Sequence, residues 1–193
     1  MLMLIVFAFI FPMITLIPVV AAEPSLETAL DRLGFTHRTE LNPHPQLFPP
    51  GTYEARLYAE FAGYRDHNEF GYYTGTNYVV IFKGSDGRSD GKSGYVDPPI
   101  TKVINVDSEI GFFLNVTHKK HMYYTEDSKN SDGKCHVRVF LTDDGVILIG
   151  WEDLFGGGDK DYQDMIVALI YTPPPPLPSR KTYVVGRAPE GCI

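Results

Sequence analysis

The chain has 193 residues, of which 44% are apolar and 13% aromatic, so its composition excludes an intrinsically disordered protein. Its 24 acidic and 17 basic side chains give a formal net charge of −7, which argues against a nucleic-acid partner because such proteins present a basic face to phosphates. Two cysteines are too few for a domain held together mainly by disulfides.

Residues 1–22 are predicted to be a signal peptide. They contain no charged side chain, and small residues precede Glu23, which suits cleavage after Ala22. A retained anchor is the alternative, because about 20 apolar residues can cross a bilayer. Both interpretations place the rest of the chain outside the cytoplasm, at the cell surface or in the medium, where calcium is plentiful. No second apolar run of this length follows, so we expect no membrane span after signal cleavage.

Residues 23–51 are predicted to form a short helix followed by a proline-rich segment. Apolar residues recur at helical spacing in Ser25–Leu33, where Ser25 can cap the first turn and Gly34 can end the helix. Four prolines between residues 42 and 51 then favour an extended segment.

Residues 52–172 alternate between apolar and polar side chains, which predicts short strands separated by turns. The predicted strands are Tyr53–Phe61, Phe70–Tyr73, Tyr78–Phe82, Thr101–Val106, Gly111–Val116, His121–Thr125, His136–Leu141, Val146–Trp151 and Met165–Tyr171. About nine such strands and one short N-terminal helix indicate an all-β fold, a β-sandwich or jelly-roll-like domain. The last two strands are apolar on both faces, so we expect them in the centre of a sheet.

Residues 173–193 are predicted to form a proline-rich spacer and tail. The run Pro173–Pro176 favours a polyproline II conformation. Cys192 near the end either pairs with Cys135 or leaves both thiols free, and the sequence allows both.

The segment between the last two strands carries most of the chemistry. Besides three consecutive glycines and one lysine, it holds five carboxylates: Glu152, Asp153, Asp159, Asp161 and Asp164. Their mutual repulsion is poorly screened next to an apolar core. A hard cation relieves that repulsion, and Ca²⁺ takes six to eight oxygen ligands. The sequence therefore predicts that these five acids bind calcium.

The spacing of the acids is consistent with one site. Asp159 and Asp161 lie two residues apart with Asp164 just beyond, while Asp153 follows the preceding strand and can close the site from the other side. The pattern is not an EF-hand, because Ile170 stands where the bidentate glutamate belongs. It also lacks the histidines and cysteines that zinc prefers. The alternative is a solvated turn whose aspartates accept backbone amides.

The same segment resembles a known family. Glu152-Asp153-Leu154, Gly157-Gly158-Asp159 and Asp161-Tyr162-Gln163-Asp164 are similar to the signature of the domain-of-unknown-function family 4114, with Gln163 where asparagine is usual. The resemblance covers roughly Tyr53 to Tyr171. It implies an extracellular β-rich module of the kind appended to adhesin-like or surface-anchored chains, and it supplies no reaction.

Other polar clusters give weaker signals. The loop around Asp86 and the segment from Asp127 to Asp132 are interpreted as solvated turns, and Asp143-Asp144-Gly145 as a hairpin turn. His118 and His121 flank two lysines, which favours a basic surface turn over a zinc site.

Three functions follow as hypotheses. The first is a secreted calcium-binding β-sandwich with a structural or adhesive role at the cell surface, where the partner is an extracellular glycan or protein. The second is a secreted hydrolase, similar to a glycosidase, that uses a carboxylate pair such as Glu152 and Asp159. The third is a structural domain without metal or ligand.

Overall fold

A computed structural model describes residues 23–63, 65–87 and 94–176. It contains one helix and ten strands in two antiparallel sheets, which confirms the predicted all-β sandwich. The predicted signal peptide, Cys192 and most of the predicted tail lie outside these residues. Among the described residues, no helix has the length and apolar character that crossing a membrane requires.

The predicted helix is present. Helix α1 spans Leu26–Arg32, and the Ser25 side chain accepts a hydrogen bond from the backbone amide of Thr28, as an N-cap residue does. Gly34 follows the helix with a φ of 90°, a left-handed conformation that costs glycine little.

The first sheet contains six strands: β1 (Arg38–Glu40), β2 (Gly51–Ala59), β5 (Tyr95–Val106), β8 (Val137–Thr142), β9 (Val146–Trp151) and β10 (Met165–Thr172). Their order across the sheet is β1-β8-β9-β10-β2-β5. The second sheet contains four strands: β3 (Asn68–Thr74), β4 (Asn77–Lys83), β6 (Gly111–Val116) and β7 (His121–Tyr124). Their order is β4-β3-β6-β7.

Two strands differ most from their sequence prediction, and the others shift by at most two residues at their ends. The alternation did not predict β1, because its three residues are all polar and none is fully buried. Strand β5 begins at Tyr95, six residues before the predicted start at Thr101. The extension was not predicted because it contains Pro98 and Pro99, which are unusual within strands. They are tolerated here because β5 lies at the edge of its sheet.

The central strands β9 and β10 are covered on both faces, as their sequence predicts. Trp151 and Val167 lie in the core between the two sheets, where Trp151 makes an edge contact with Phe70 of β3. On the opposite face, Leu148 and Ile166 pack against α1. The helix therefore closes the outer side of the sheet and explains why these strands carry apolar residues at consecutive positions.

The two sheets bring three chain segments together at one end of the sandwich. The connection from β9 to β10 leaves the sheet after Trp151 and returns at Met165. The neighbouring strand β2 ends at Ala59, next to Ile166, and β3 of the second sheet begins at Asn68. The acidic segment is thus surrounded by the end of β2 and the start of β3.

Candidate metal centre

Residues 152–164 form the connection between β9 and β10, called here the acidic loop. Backbone pairing continues into it, since the amide of Asp164 donates to the carbonyl of Trp151 at 3.1 Å. The three glycines Gly156, Gly157 and Gly158 all have positive φ angles, so the chain reverses through a left-handed conformation that other residues rarely adopt.

The structure brings three of the five predicted acids close together. One carboxylate oxygen of each of Glu152, Asp161 and Asp164 lies within 4.8 Å of the other two. Asp153 is buried beside them, with 3% of its surface exposed, whereas Asp159 points outward as an exposed residue. Asp159 thus lies at the margin of the group, although its charge contributes to raising the pKa of Glu152.

Backbone amides donate hydrogen bonds to some of the carboxylate oxygens. Glu152 accepts from the amides of Leu154 and Lys160 at 3.1 and 3.0 Å. Asp164 Oδ2 accepts from the amide of Asp153 at 2.8 Å. These bonds hold the acids in place, as in a solvated turn, but Glu152 is fully buried rather than solvated.

Two further residues, which the sequence did not predict, supply oxygens to this region. Glu60 is 3% exposed and Asn68 is fully buried. Both carboxylate oxygens of Glu60 and the amide oxygen of Asn68 have no hydrogen-bond partner within the described part of the chain. The Asn68 Nδ2 donates to Asp153 Oδ2 at 3.0 Å, and the amide of Phe61 donates to the Asp164 carbonyl at 3.1 Å. Glu60 and Asn68 therefore border Asp153 and Asp164.

Glu60 is buried, although its place in the sequence pattern predicts an exposed side chain. The period of two in β2 places Glu60 on the same polar face as Glu54 and Arg56, which predicts a solvent-facing side chain. Strand β2 instead ends at Ala59, and the Glu60 amide bonds to the Gly94 carbonyl at 2.7 Å, so the carboxyl group is buried. The residues of the acidic loop did not indicate that Glu60, which is far away in the sequence, would lie next to them.

Gln163 contributes a second buried side-chain amide, after that of Asn68. Its Nε2 donates to Asp161 Oδ2 at 2.7 Å and to Glu23 Oε2 at 3.0 Å. Its Oε1 is buried and accepts no hydrogen bond from any residue that the structure describes. Gln163 thus orients Asp161 and keeps an amide oxygen without a partner among the described residues.

Burial and mutual repulsion raise the pKa of the acids. Burial, together with the charges of Asp66, Asp153 and Asp164, raises the pKa of Glu60 to about 9. Burial and the charge of Asp153 raise the pKa of Asp164 to about 9 as well. The pKa of Glu152 rises to about 7, mainly through burial. The fold therefore opposes ionisation of these groups unless a positive charge is present.

A third polar segment fixes the acidic loop from outside. His136 is fully buried, with its Nδ1 3.0 Å from the Glu152 carbonyl and its Nε2 2.9 Å from Asp132 Oδ2. The same Asp132 oxygen accepts from the Gly156 amide at 2.7 Å. From the sequence, we interpreted Asp132 as part of a solvated turn. Its side chain is instead buried and holds the acidic loop through hydrogen bonds.

The donor set of the site consists of hard oxygens. The close group supplies carboxylates of Glu152, Asp161 and Asp164. Asp153 and Gln163 are hydrogen-bonded to Asp164 and Asp161, and Glu60 and Asn68 border Asp153. Calcium accepts such mixed carboxylate and amide ligands in a flexible geometry, whereas zinc favours nitrogen and sulfur. These residues therefore fit a calcium ion.

Comparison with known proteins supports the resemblance stated above. Residues 102–172 match the model of a family described as a domain of unknown function, DUF4114. The matched segment contains β6 to β10 and the whole acidic loop, while Glu60 and Asn68 precede it. Among curated proteins, none matches the chain.

Proposed function

We propose that the protein is a secreted calcium-binding β-sandwich module with a structural or adhesive role at the cell surface. The observation that carries this proposal is the burial of Glu60, whose two carboxylate oxygens find no hydrogen-bond donor in residues 23–63, 65–87 and 94–176. A buried polar group without a partner costs free energy, and a buried carboxylate costs more than a neutral group. A cation held by the close group of Glu152, Asp161 and Asp164 lowers that cost, because the negative charge of Asp164 is one of those that raise the pKa of Glu60.

The charge balance supports a divalent ion in particular. Several carboxyl groups whose pKa values are raised surround one region, and ionising them together requires a concentrated positive charge. Asn68 and Gln163 add neutral oxygens that a calcium shell also uses. Magnesium is less suitable because it retains several waters and demands a near-octahedral geometry.

The position of the ligands gives the ion a structural role. Asp153 and Asp164 flank β9 and β10 of the six-stranded sheet, whereas Asn68 is the first residue of β3 in the four-stranded sheet. Asp153 joins the two sheets, because it accepts from Asn68 and its amide donates to Asp164, so an ion bound at Asp164 stabilises this end of the sandwich. The ion also orders the acidic loop, on which Phe155 is 56% exposed and stacks on His121 at 5.0 Å. An extracellular glycan or protein partner would meet this ordered loop.

The hydrolase alternative gains no support from the geometry. Glu152 is fully buried, and both of its oxygens accept backbone amides, whereas Asp159 is exposed. A glycosidase needs both carboxyl groups within reach of the scissile bond. A buried Glu152 fits an ion ligand better than an acid that must contact a sugar.

A calcium titration of the full chain by calorimetry, after treatment with a chelator, tests the proposal. We expect saturable binding and a higher melting temperature, because a ligand that binds only the folded state stabilises it. Trp151, the only tryptophan, directly precedes Glu152 and provides a fluorescence signal for the same titration.

Matched substitutions locate the site. Asp161→Asn removes a carboxylate from the close group and is expected to lower calcium affinity at least about tenfold. Asp159→Asn affects an exposed residue and is expected to have a smaller effect. Asp86→Asn is the control, because Asp86 accepts from the Lys83 amide in a separate loop. Absence of any binding heat and of any change in melting temperature would refute the proposal.

A further inference from the structure

Three metal-binding side chains meet at a second place in the fold. His44 belongs to the segment between β1 and β2, Asp127 follows β7, and Cys135 precedes β8. One donor atom of each lies within 4.8 Å of the donor atoms of the other two. The group shares no residue with the acidic site described above.

The contacts within this group are direct. The Cys135 Sγ lies 3.9 Å from His44 Nδ1, and His44 Nε2 lies 3.6 Å from Asp127 Oδ1. The three residues are all partly buried, and only 11% of the His44 side chain is exposed. Three distant chain segments thus present sulfur, nitrogen and oxygen donors to one small volume.

We propose that His44, Asp127 and Cys135 form a second metal site, for a transition-metal ion of the zinc class. Thiolate and imidazole are ligands that such ions prefer and that calcium does not take. In tetrahedral zinc sites the Zn–S and Zn–N distances are about 2.3 and 2.0 Å, so neighbouring donor atoms are about 3.5 Å apart. The separation of Cys135 Sγ from His44 Nδ1 comes close to that value, whereas Asp127 Oδ1 lies nearest to the other ring nitrogen, Nε2, and would move to join an ion on Nδ1. The three donor atoms lie within 4.8 Å of one another before any such movement.

Gln46 positions the aspartate for this role. Its Oε1 accepts from the Asp127 amide at 2.7 Å, and its Nε2 donates to Asp127 Oδ2 at 3.2 Å. The other oxygen, Asp127 Oδ1, is buried and has no hydrogen-bond partner among the residues described. The amide side chain therefore satisfies one carboxylate oxygen and leaves the other directed towards His44.

The backbone also surrounds the imidazole. His44 Nε2 lies 3.1 Å from the Thr125 carbonyl oxygen. Gln46 Nε2 lies 2.9 Å from the same nitrogen, so Nε2 is held within the protein and Nδ1, next to Cys135 Sγ, is the nitrogen available to an ion. Thr125 itself is fully buried, and its hydroxyl donates to the Gln46 carbonyl at 2.9 Å, so this support is part of the core.

The site has room for a further ligand. His44 and Cys135 line a cavity of about 260 Å³, together with Glu40, Asn42, Arg138 and Tyr162. Zinc sites with three protein ligands keep a fourth position for water or an incoming group. The open position in this site would face that cavity.

Cobalt(II) replaces zinc in such sites and gives a visible signal, so it is the probe for the test. The full chain is titrated with Co²⁺ under reducing conditions, with saturating Ca²⁺ present so that the acidic site is filled. We expect one equivalent of Co²⁺ to produce a thiolate-to-cobalt charge-transfer band, and Zn²⁺ to abolish the band by displacement. Cys135→Ser should remove it, while His44→Gln and Asp127→Asn should weaken Co²⁺ binding at least about tenfold.

Two control variants separate this site from nonspecific binding. Cys192→Ser removes the other thiol, and His37→Gln removes an exposed histidine; both should retain the band. Thermal unfolding without metal shows that each variant is folded. A missing band in the native chain, a band that persists in Cys135→Ser, or a disulfide between Cys135 and Cys192 in protein isolated without reductant would overturn the proposal. Failure of calcium binding leaves these outcomes unaffected, since the ligands differ.

Discussion

Strand β9 has an acidic connection at each end, and the two connections differ in what surrounds their carboxylates. The turn from β8 to β9 contains Asp143 and Asp144, which are both exposed, and Asp144 accepts a hydrogen bond from the Thr142 hydroxyl. The acidic loop from β9 to β10 instead begins with Glu152 and Asp153, both buried. The chain thus places the same residue types in water at one end of a strand and in the core at the other.

This difference shows that burial and missing partners, rather than the number of acids, distinguish a metal site from a turn. Asp143 and Asp144 are exposed and keep their hydration. Glu60 and Asp164 lose theirs, and burial raises the pKa of both to about 9. An ion that binds the ionised carboxylates would therefore stabilise the fold strongly at the acidic loop and only weakly at the β8–β9 turn.

The largest expected effect is the loss of calcium stabilisation in Asp164→Asn. At a free calcium concentration of about a thousand times Kd, binding stabilises the folded native chain by about 4 kcal/mol, and we expect this variant to lose most of it. Without metal the variant should be more stable than the native chain at pH 7, because the buried Asp164 carboxyl must take up a proton on folding whereas asparagine does not titrate and retains an oxygen for the Asp153 amide.

The matched control for that variant is Asp143→Asn in the exposed turn. It should leave calcium binding unchanged and alter stability by less than about 0.5 kcal/mol, as surface substitutions usually do. Chemical denaturation of both variants, with calcium and with chelator, measures the four values. If calcium stabilised Asp164→Asn as strongly as the native chain, Asp164 would not be a ligand, and the acidic loop would not differ from the exposed turn in this respect.

Over a single pH unit, a smaller effect is expected from pH on the metal-free protein. Glu60 has an ordinary pKa of 4.5, which the fold raises to about 9. The folded state therefore favours the protonated acid, so its stabilisation is complete below pH 4.5 and is lost progressively as the pH rises to 9. Each such group lowers the free energy of unfolding by about 1.4 kcal/mol per pH unit within that window.

Denaturation in chelator at a series of pH values measures this slope. Saturating calcium should flatten or reverse it, because the ion binds the ionised carboxylates. Glu60→Gln should reduce the slope of the metal-free chain, since glutamine does not titrate. A metal-free chain that became steadily more stable from pH 5 to pH 8 would contradict the assigned burial of these acids.

Much of the fold, but only part of the site, was predictable from the sequence. A period of two identified the strands, and the apolar character of both faces identified β9 and β10 as central, because local patterns reflect local burial. The acidic loop was recognisable from its own residues. Glu60 and Asn68 were not, because the end of β2 and the start of β3 meet the loop only in the folded chain. His44, Asp127 and Cys135 are equally distant in sequence, so no local spacing indicated their convergence.

The smallest expected effect comes from the glycines of the acidic loop. A Cβ atom on Gly158 would lie 2.2 Å from Glu152 Oε1, whereas one on Gly156 would meet no atom within 4 Å. Both residues have positive φ angles, so alanine at either position costs about 1 kcal/mol of backbone strain. Only Gly158→Ala also displaces the Glu152 carboxylate, and we expect it alone to weaken calcium binding by a few-fold. Calorimetry on the two variants decides this, because equal affinities would mean that the position of Glu152 does not contribute to the ion site.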